Sequence, residues 1–138
     1  MAITQTQCTS FKVELLTGTH NFSSDTFKIA LYTSAASLGV DTTAYSTSNE
    51  VSASGYTAGG NTLTVSTTPT SSSTTAYVSF ANTSWSSALT ARGALIYNSS
   101  KSNKAVAVLD FGADKTSSGT FTVTFPTADA TSAIIRIS

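Results

Sequence analysis

Apolar residues in this chain fall into short runs separated by long polar stretches, and the longest runs lie close together. Residues 92–111 read RGALIYNSSKSNKAVAVLDF, with apolar runs at 94–97 and 105–109 on either side of seven residues of Asn, Ser and Lys. A short continuous apolar run bounded by turn formers suits a strand covered on both faces. The two runs therefore predict a hairpin with a longish loop at 98–104, placed at the centre of a β domain.

Other runs alternate. At 27–32 Phe27, Ile29 and Leu31 fall on one face and Ala30 and Tyr32 on the other. Residues 62–66 put Leu63 and Val65 inward between threonines, residues 76–81 put Val78 and Phe80 inward, and residues 120–125 do the same with Phe121, Val123 and Phe125. Pro126, which cannot donate to a ladder, ends the last of these, and residues 133–137 form a final strand. The stretch TTPTSSSTT at 67–75 reads as a turn or exposed loop around Pro69. Residues 10–18 allow a strand or a helix. The helix is preferred, because Thr9 or Ser10 supplies an N-cap and Gly18 a C′ residue.

Seven strands, one short helix and no βαβ rhythm predict a mainly β protein, an antiparallel β-sandwich or jelly-roll-like single domain over residues 10–138. Residues 1–9 are expected to form an extended N-terminal arm. Residues 33–60 make a long connection whose Gly55, Gly59 and Gly60 are expected to supply positive φ or close backbone approach. Trp85, the single tryptophan, is expected to cap the core or a subunit contact.

Composition adds a surface type. Only 10% of residues are charged, seven basic against seven acidic, while 24 Ser and 26 Thr occupy the polar positions. That balance provides no electrostatic footprint for nucleic acid or an anionic membrane. A nearly uncharged hydroxyl surface fits a subunit packed among fixed neighbours or an ordinary neutral domain. No run of about 18 apolar residues and no basic leader followed by an apolar stretch occurs, so neither a membrane span nor a classical secretion signal is expected.

Candidate chemistry is sparse. Cys8 is the single cysteine and reads as a structural thiol, without an internal disulfide or a cysteine-based metal site. His20 lies in a loop with no second ligand near it in sequence, which favours a hydrogen-bonded structural role. The carboxylates form no paired acid/base motif, and no hydrolase, zinc-protease or phosphate-loop signature is present. No enzyme activity, cofactor or metal is therefore expected. Three Asn-X-Ser matches, at Asn21, Asn82 and Asn98, are what chance gives in so hydroxyl-rich a chain. Arg92 at the entrance of the most apolar strand and Glu50 in the long loop are each placed for partial burial. A buried charge needs a partner. Two readings stand: a bidentate Arg92–Glu50 ion pair fastening the 33–60 loop to the central hairpin, or two solvated rim residues.

Several segments carry a resemblance. SFKVELLTGTH at 10–20, DTFKIALYT at 25–33, NEV at 49–51 with GYTAGG at 55–60, ARGALIY at 91–97, and the closing Phe125-Pro126 with AIIRI at 133–137 resemble a family of small virion proteins of tailed bacteriophages. The likeness runs through nearly the whole chain in order. It implies a capsid decoration or cement protein on the outer surface of the phage head, made in the bacterial host cytoplasm. It also implies the major capsid protein as partner, self-association as a homotrimer, and contact with neither nucleic acid nor membrane. The alternative it leaves open is a binding module of the tail or neck, with the 33–60 loop touching a neighbouring protein or a host glycan.

Overall fold

The computed structural model describes residues 2–138. It shows a single, mainly β domain of antiparallel sheets with one short α-helix. In chain order the elements are β1 (Thr6–Gln7), α1 (Thr9–Leu16), β2 (Phe27–Tyr32), β3 (Asn61–Thr62), β4 (Val65–Ser72), β5 (Thr75–Phe80), β6 (Thr83–Trp85), β7 (Thr90–Asn98), β8 (Lys104–Thr116), β9 (Phe121–Val123) and β10 (Ile135–Ile137). A 3₁₀ turn at Ser99–Lys101 closes the β7–β8 hairpin.

Three sheets result, with strand orders β1-β8-β7-β2-β3, β10-β5-β4 and β6-β9. The predicted central hairpin is there, with β7 in the middle of the five-stranded sheet between β8 and β2. Register explains why its apolar runs do not alternate. Phe27, Ile29 and Leu31 oppose Asn98, Ile96 and Ala94, whereas Lys28, Ala30 and Tyr32 oppose Tyr97, Leu95 and Gly93. The first set shares a face with the aromatic core, where Phe27 stacks on Phe22 with centroids 4.4 Å apart and lies 6.0 Å from Phe80 of β5. The second set faces the 33–60 loop, which covers that side in place of a second regular sheet.

Elements at the edges of the domain depart from the sequence reading. Residues 67–75 are strand rather than loop: β4 runs through Pro69 to Ser72 and turns at Ser73, whose φ is +55°, into β5. Pro69 is accommodated because β4 is an outer strand and its pairing with β5 shifts register between Val65, Thr67 and Thr70, leaving the proline out of the ladder. Residues 62–66 divide between β3 and β4. β8 continues to Thr116, through Gly112 and the polar residues that follow it. A bulge permits this: Gly93 opposes Asp110 and Ala91 opposes Lys115, so three extra residues are taken up on β8 around Gly112, whose φ is +83°.

The expected arm at 1–9 is also corrected, over the described residues 2–9. Ile3 is buried and bridges Leu38, Thr6 and Gln7 pair with Val108 and Ala107, and Cys8 is fully buried. Free strand edge on β8 and a notch at Gly93, where a Cβ would meet the Ile3 side chain, hold this segment down.

The helix forms where expected but is capped differently. Its N-cap is Cys8, which makes no side-chain cap bond. Its C-terminus is a Schellman motif: Thr19 N–H donates to the Glu14 carbonyl, Gly18 N–H donates to that of Leu15, and Gly18 takes φ +74°. Phe11 is the fully buried anchor of the helix, with its ring 6.0 Å from that of Phe22.

Candidate functional site

Glu50 organises the long loop. Asn49 adopts φ +61° and turns the chain so that residue 50 forms a bridge with Tyr32, while Val51 N–H donates to the Leu31 carbonyl. The carboxylate then accepts three bonds. Tyr45 Oη donates to Oε1 at 2.7 Å, and Tyr56 Oη and Gly59 N–H donate to Oε2 at 2.6 and 2.8 Å. Around this centre, Tyr97 Oη donates to the Gly59 carbonyl at 2.6 Å, Tyr45 stacks on Tyr97 with centroids 4.7 Å apart, and Tyr32 Oη donates to the Ser46 carbonyl. Burial, followed by the Glu50 charge, pushes the Tyr97 phenol up to about 12. Tyr32, Tyr45 and Tyr56 are raised as well, burial being the largest cause in each and Glu50 contributing in all three.

Glycine is required beside this cluster. Gly60 has φ +76°, and a Cβ there would overlap the Ile29 carbonyl oxygen; Gly55 has φ +90° and faces the Ser86 carbonyl at similarly short range. Gly55, Gly59 and Gly60 all take positive φ, as expected, and close backbone approach is found at Gly55 and Gly60.

The Arg92–Glu50 pair does not form. Arg92 Nε donates to Asp110 Oδ1 at 3.0 Å, and the same oxygen accepts from Gly112 N–H at 2.9 Å. These bonds, that from Gly112 first, hold the Asp110 carboxyl below the usual carboxylate range. Strand parity is the reason. Arg92 has the parity of Ala94 and Ile96 and so lies on the opposite face of β7 from Gly93, Leu95 and Tyr97, the face that the Glu50 loop covers. The loop is fastened to the hairpin, but by tyrosine hydroxyls.

A second polar network is buried under the other face. Asn98, the last residue of β7 and fully buried, donates from Nδ2 to His20 Nδ1 at 3.0 Å and to Asp25 Oδ2 at 2.8 Å, and its Oδ1 accepts from Ser100 N–H at 3.0 Å. An amide nitrogen only donates, so His20 Nδ1 is an acceptor and Nε2 carries the proton. Nε2 donates to Glu14 Oε1 at 2.8 Å, and Lys104 Nζ lies 3.6 Å from Glu14 Oε2. Burial would raise the Asp25 carboxyl, but Lys101, Asn98 and the Asn21 N–H outweigh it and hold it at about 2. His20 is thus a structural hydrogen-bonding residue, as its isolation in the sequence implied. The Cys8 thiol, pushed up to about 11 by burial and then by Glu14, is equally structural.

Trp85 belongs to the core. It is buried between Tyr56 and Phe121, with centroids 5.9 and 6.3 Å away. Among the described residues no group of three or more His, Cys, Asp and Glu side chains is placed to hold a metal ion, and no helix is long and apolar enough to cross a membrane.

The networks above are internal fastenings, so candidate contacts lie on the outer surface. Leu16 is 90% exposed, Val13 57% and Ile137 52%. Val13 and Leu16, three residues apart, share the outer side of α1. On the face of α1 that carries Leu15, an apolar groove of about 490 Å³ runs between α1 and the β10-β5-β4 sheet, bordered by Leu15, Phe22, Tyr77 and Ile137. A second opening of about 750 Å³ lies along β9. Comparison of the chain with family models, curated proteins and solved structures finds no match.

Proposed function

We propose that this chain is a non-enzymatic structural protein of a tailed-bacteriophage virion. It binds the outer surface of the head as a homotrimer and cements contacts between subunits of the major capsid protein. The resemblance of its segments to small virion proteins motivates this reading. The observation that carries it is the exposure of large apolar side chains, Val13, Leu16 and Ile137, on a hydroxyl-rich surface. Several of the chain's few charges are paired within it, in Arg92–Asp110, Lys101–Asp25 and Lys104–Glu14. An uncharged surface with fixed apolar points suits a subunit held against a neighbour. The alternative, a tail or neck module that grips a glycan through the 33–60 loop, is less well supported, because Tyr45 and Tyr56 of that loop turn toward Glu50.

Mixing the purified protein with undecorated phage shells and sedimenting them tests the proposal. Hundreds of copies should travel with each shell. Leu16→Asp should lower binding at least tenfold while leaving the thermal midpoint unchanged, because Leu16 has little packing to lose. Absence of co-sedimentation, or a copy number in the intact virion equal to a small multiple of three or six, refutes the head assignment and favours the tail or neck.

A further inference from the structure

The opening beside β9 has the form of a slot between two strand edges. β8 and β9 are consecutive and joined by four residues, 117–120, yet they do not pair. Ser117 diverts the chain: its N–H donates to the Leu89 carbonyl and its Oγ to the Ser87 carbonyl at 2.7 Å, drawing the turn toward the β6–β7 connection. β9 therefore pairs with β6 and leaves a gap of about 750 Å³ on its other side.

The residues bordering this gap show which part of the strand faces it. Every residue from 120 to 126 borders it, as do 115 to 118. A strand presents alternate residues to a groove on its face, whereas an uninterrupted series means that the groove runs along its edge. On its side away from β6, β9 has no partner strand among the described residues, and β1 pairs with β8 only at Ala107 and Val108. Phe111, Phe121 and Phe125 supply an apolar floor, with the first two rings 6.0 Å apart. Lys115, exposed at one end, is the one charged side chain on the border.

We propose that this slot binds an extended segment of a partner polypeptide, which adds as a strand along β9. Its alternate apolar side chains rest on the phenylalanine floor, and a carboxylate lies against Lys115. Unpaired backbone N–H and C=O groups along an edge are what an added strand satisfies, and side-chain pockets at every second residue give such sites their selectivity. Seven residues at about 3.3 Å each make the slot ~23 Å long, room for about six or seven residues of ligand. The assignment goes beyond the virion proposal and does not depend on it, since it concerns the ligand chemistry of one edge.

The test uses the whole chain, isotope-labelled, and the capped peptide Glu-Val-Thr-Val-Thr-Val, with its valines on one face and its carboxylate at one end, as probe in amide NMR up to millimolar peptide. Amides of residues 120–125 should shift and gain exchange protection. An analogue with the same side chains but alternate backbone nitrogens methylated should bind at least tenfold more weakly, because it cannot complete the ladder. Lys115→Glu, at an exposed position that spares the fold, should weaken the acidic peptide about threefold to fivefold and strengthen one with Lys in place of Glu. The proposal is overturned if these amides do not respond at millimolar peptide, or if the methylated analogue binds equally well. Shifts at residues 120–125 on concentrating the protein alone would assign the slot to a second copy and would overturn it too.

Discussion

Replacing Glu50 by alanine should be among the most damaging single changes in the molecule, although the residue lies in a loop and contacts no ligand. The substitution removes the acceptor of three bonds, from Tyr45 Oη, Tyr56 Oη and Gly59 N–H. A hydrogen bond to a charged group contributes about 1.5–3 kcal/mol, and these bonds are not additive because they share one carboxylate. Tyr56 Oη retains the bond donated by Leu31 N–H, but Gly59 N–H is left buried without an acceptor. A loss of about 3–5 kcal/mol follows, equivalent to ~10–20 °C in the thermal midpoint of a domain this size. Glu50→Gln keeps one oxygen and the shape of the side chain and should cost about 1–2 kcal/mol. Urea unfolding followed by tyrosine and tryptophan fluorescence measures both. An alkaline titration adds an independent reading. The Tyr97 phenol is raised to about 12 by burial and Glu50, so the fold holds that proton more tightly than the unfolded chain does. Its contribution is complete below pH 10 and is lost as pH rises through 12. In Glu50→Gln that loss should be smaller and complete at a lower pH, with the same onset near pH 10. A Glu50→Ala protein within about 1 kcal/mol of the wild type would refute the view that this carboxylate fastens the loop.

Three further outcomes are expected. Asp25, held at about 2, stabilises the fold above pH 3.8 and ceases to do so as pH falls toward 2; Asp25→Asn should cost about 1–2 kcal/mol at pH 7 after screening at the part-exposed Lys101, and should flatten the acid limb of a stability–pH profile. Gly60→Ala should lose more than about 3 kcal/mol or fail to accumulate as folded protein, because its Cβ meets the Ile29 carbonyl at a positive φ; a near-wild-type midpoint would contradict the close approach. A double-mutant cycle on Arg92 and Glu50 should show coupling below about 0.5 kcal/mol in denaturant unfolding, since the two lie on opposite faces of β7; a larger coupling would restore the Arg92–Glu50 pairing.

The core of the fold was legible because hydrophobic period reports burial directly. The uninterrupted run at 94–97 does mark a strand covered on both sides, and alternation found β2 and β5 to within a residue of their ends. What period cannot report is pairing between polar strands. β4 carries one apolar residue, Val65, in eight, so its strand character comes from lying beside β5 and is invisible in its own composition. Partner choice was hidden for a related reason. Arg92 and Asp110 are 18 residues apart and meet because a bulge in β8 brings Asp110 beside Gly112, and nothing in either residue's neighbourhood announces a bulge except that glycine. The Glu50 cluster left a clearer trace. Tyr45, Glu50 and Tyr56 lie within twelve residues of a chain that has five tyrosines, and a carboxylate flanked by phenols in a glycine-rich loop is a readable sign of an internal latch. Asn98 left less, since a single asparagine closing an apolar strand looks like ordinary turn punctuation.

Pro69 bears on how copies of the chain meet one another. A strand at the margin of a sheet is a template on which an identical molecule can continue the sheet, and a nearly neutral protein has little charge repulsion to prevent it. β4 is such a margin, eight residues long and mostly exposed. Its proline lacks a donor in mid-strand, and two register shifts within six residues bend the backbone away from a straight ladder. An incoming copy would find no uninterrupted row of N–H and C=O groups there. Open-ended polymerisation through β4 is thereby opposed at the level of the backbone itself.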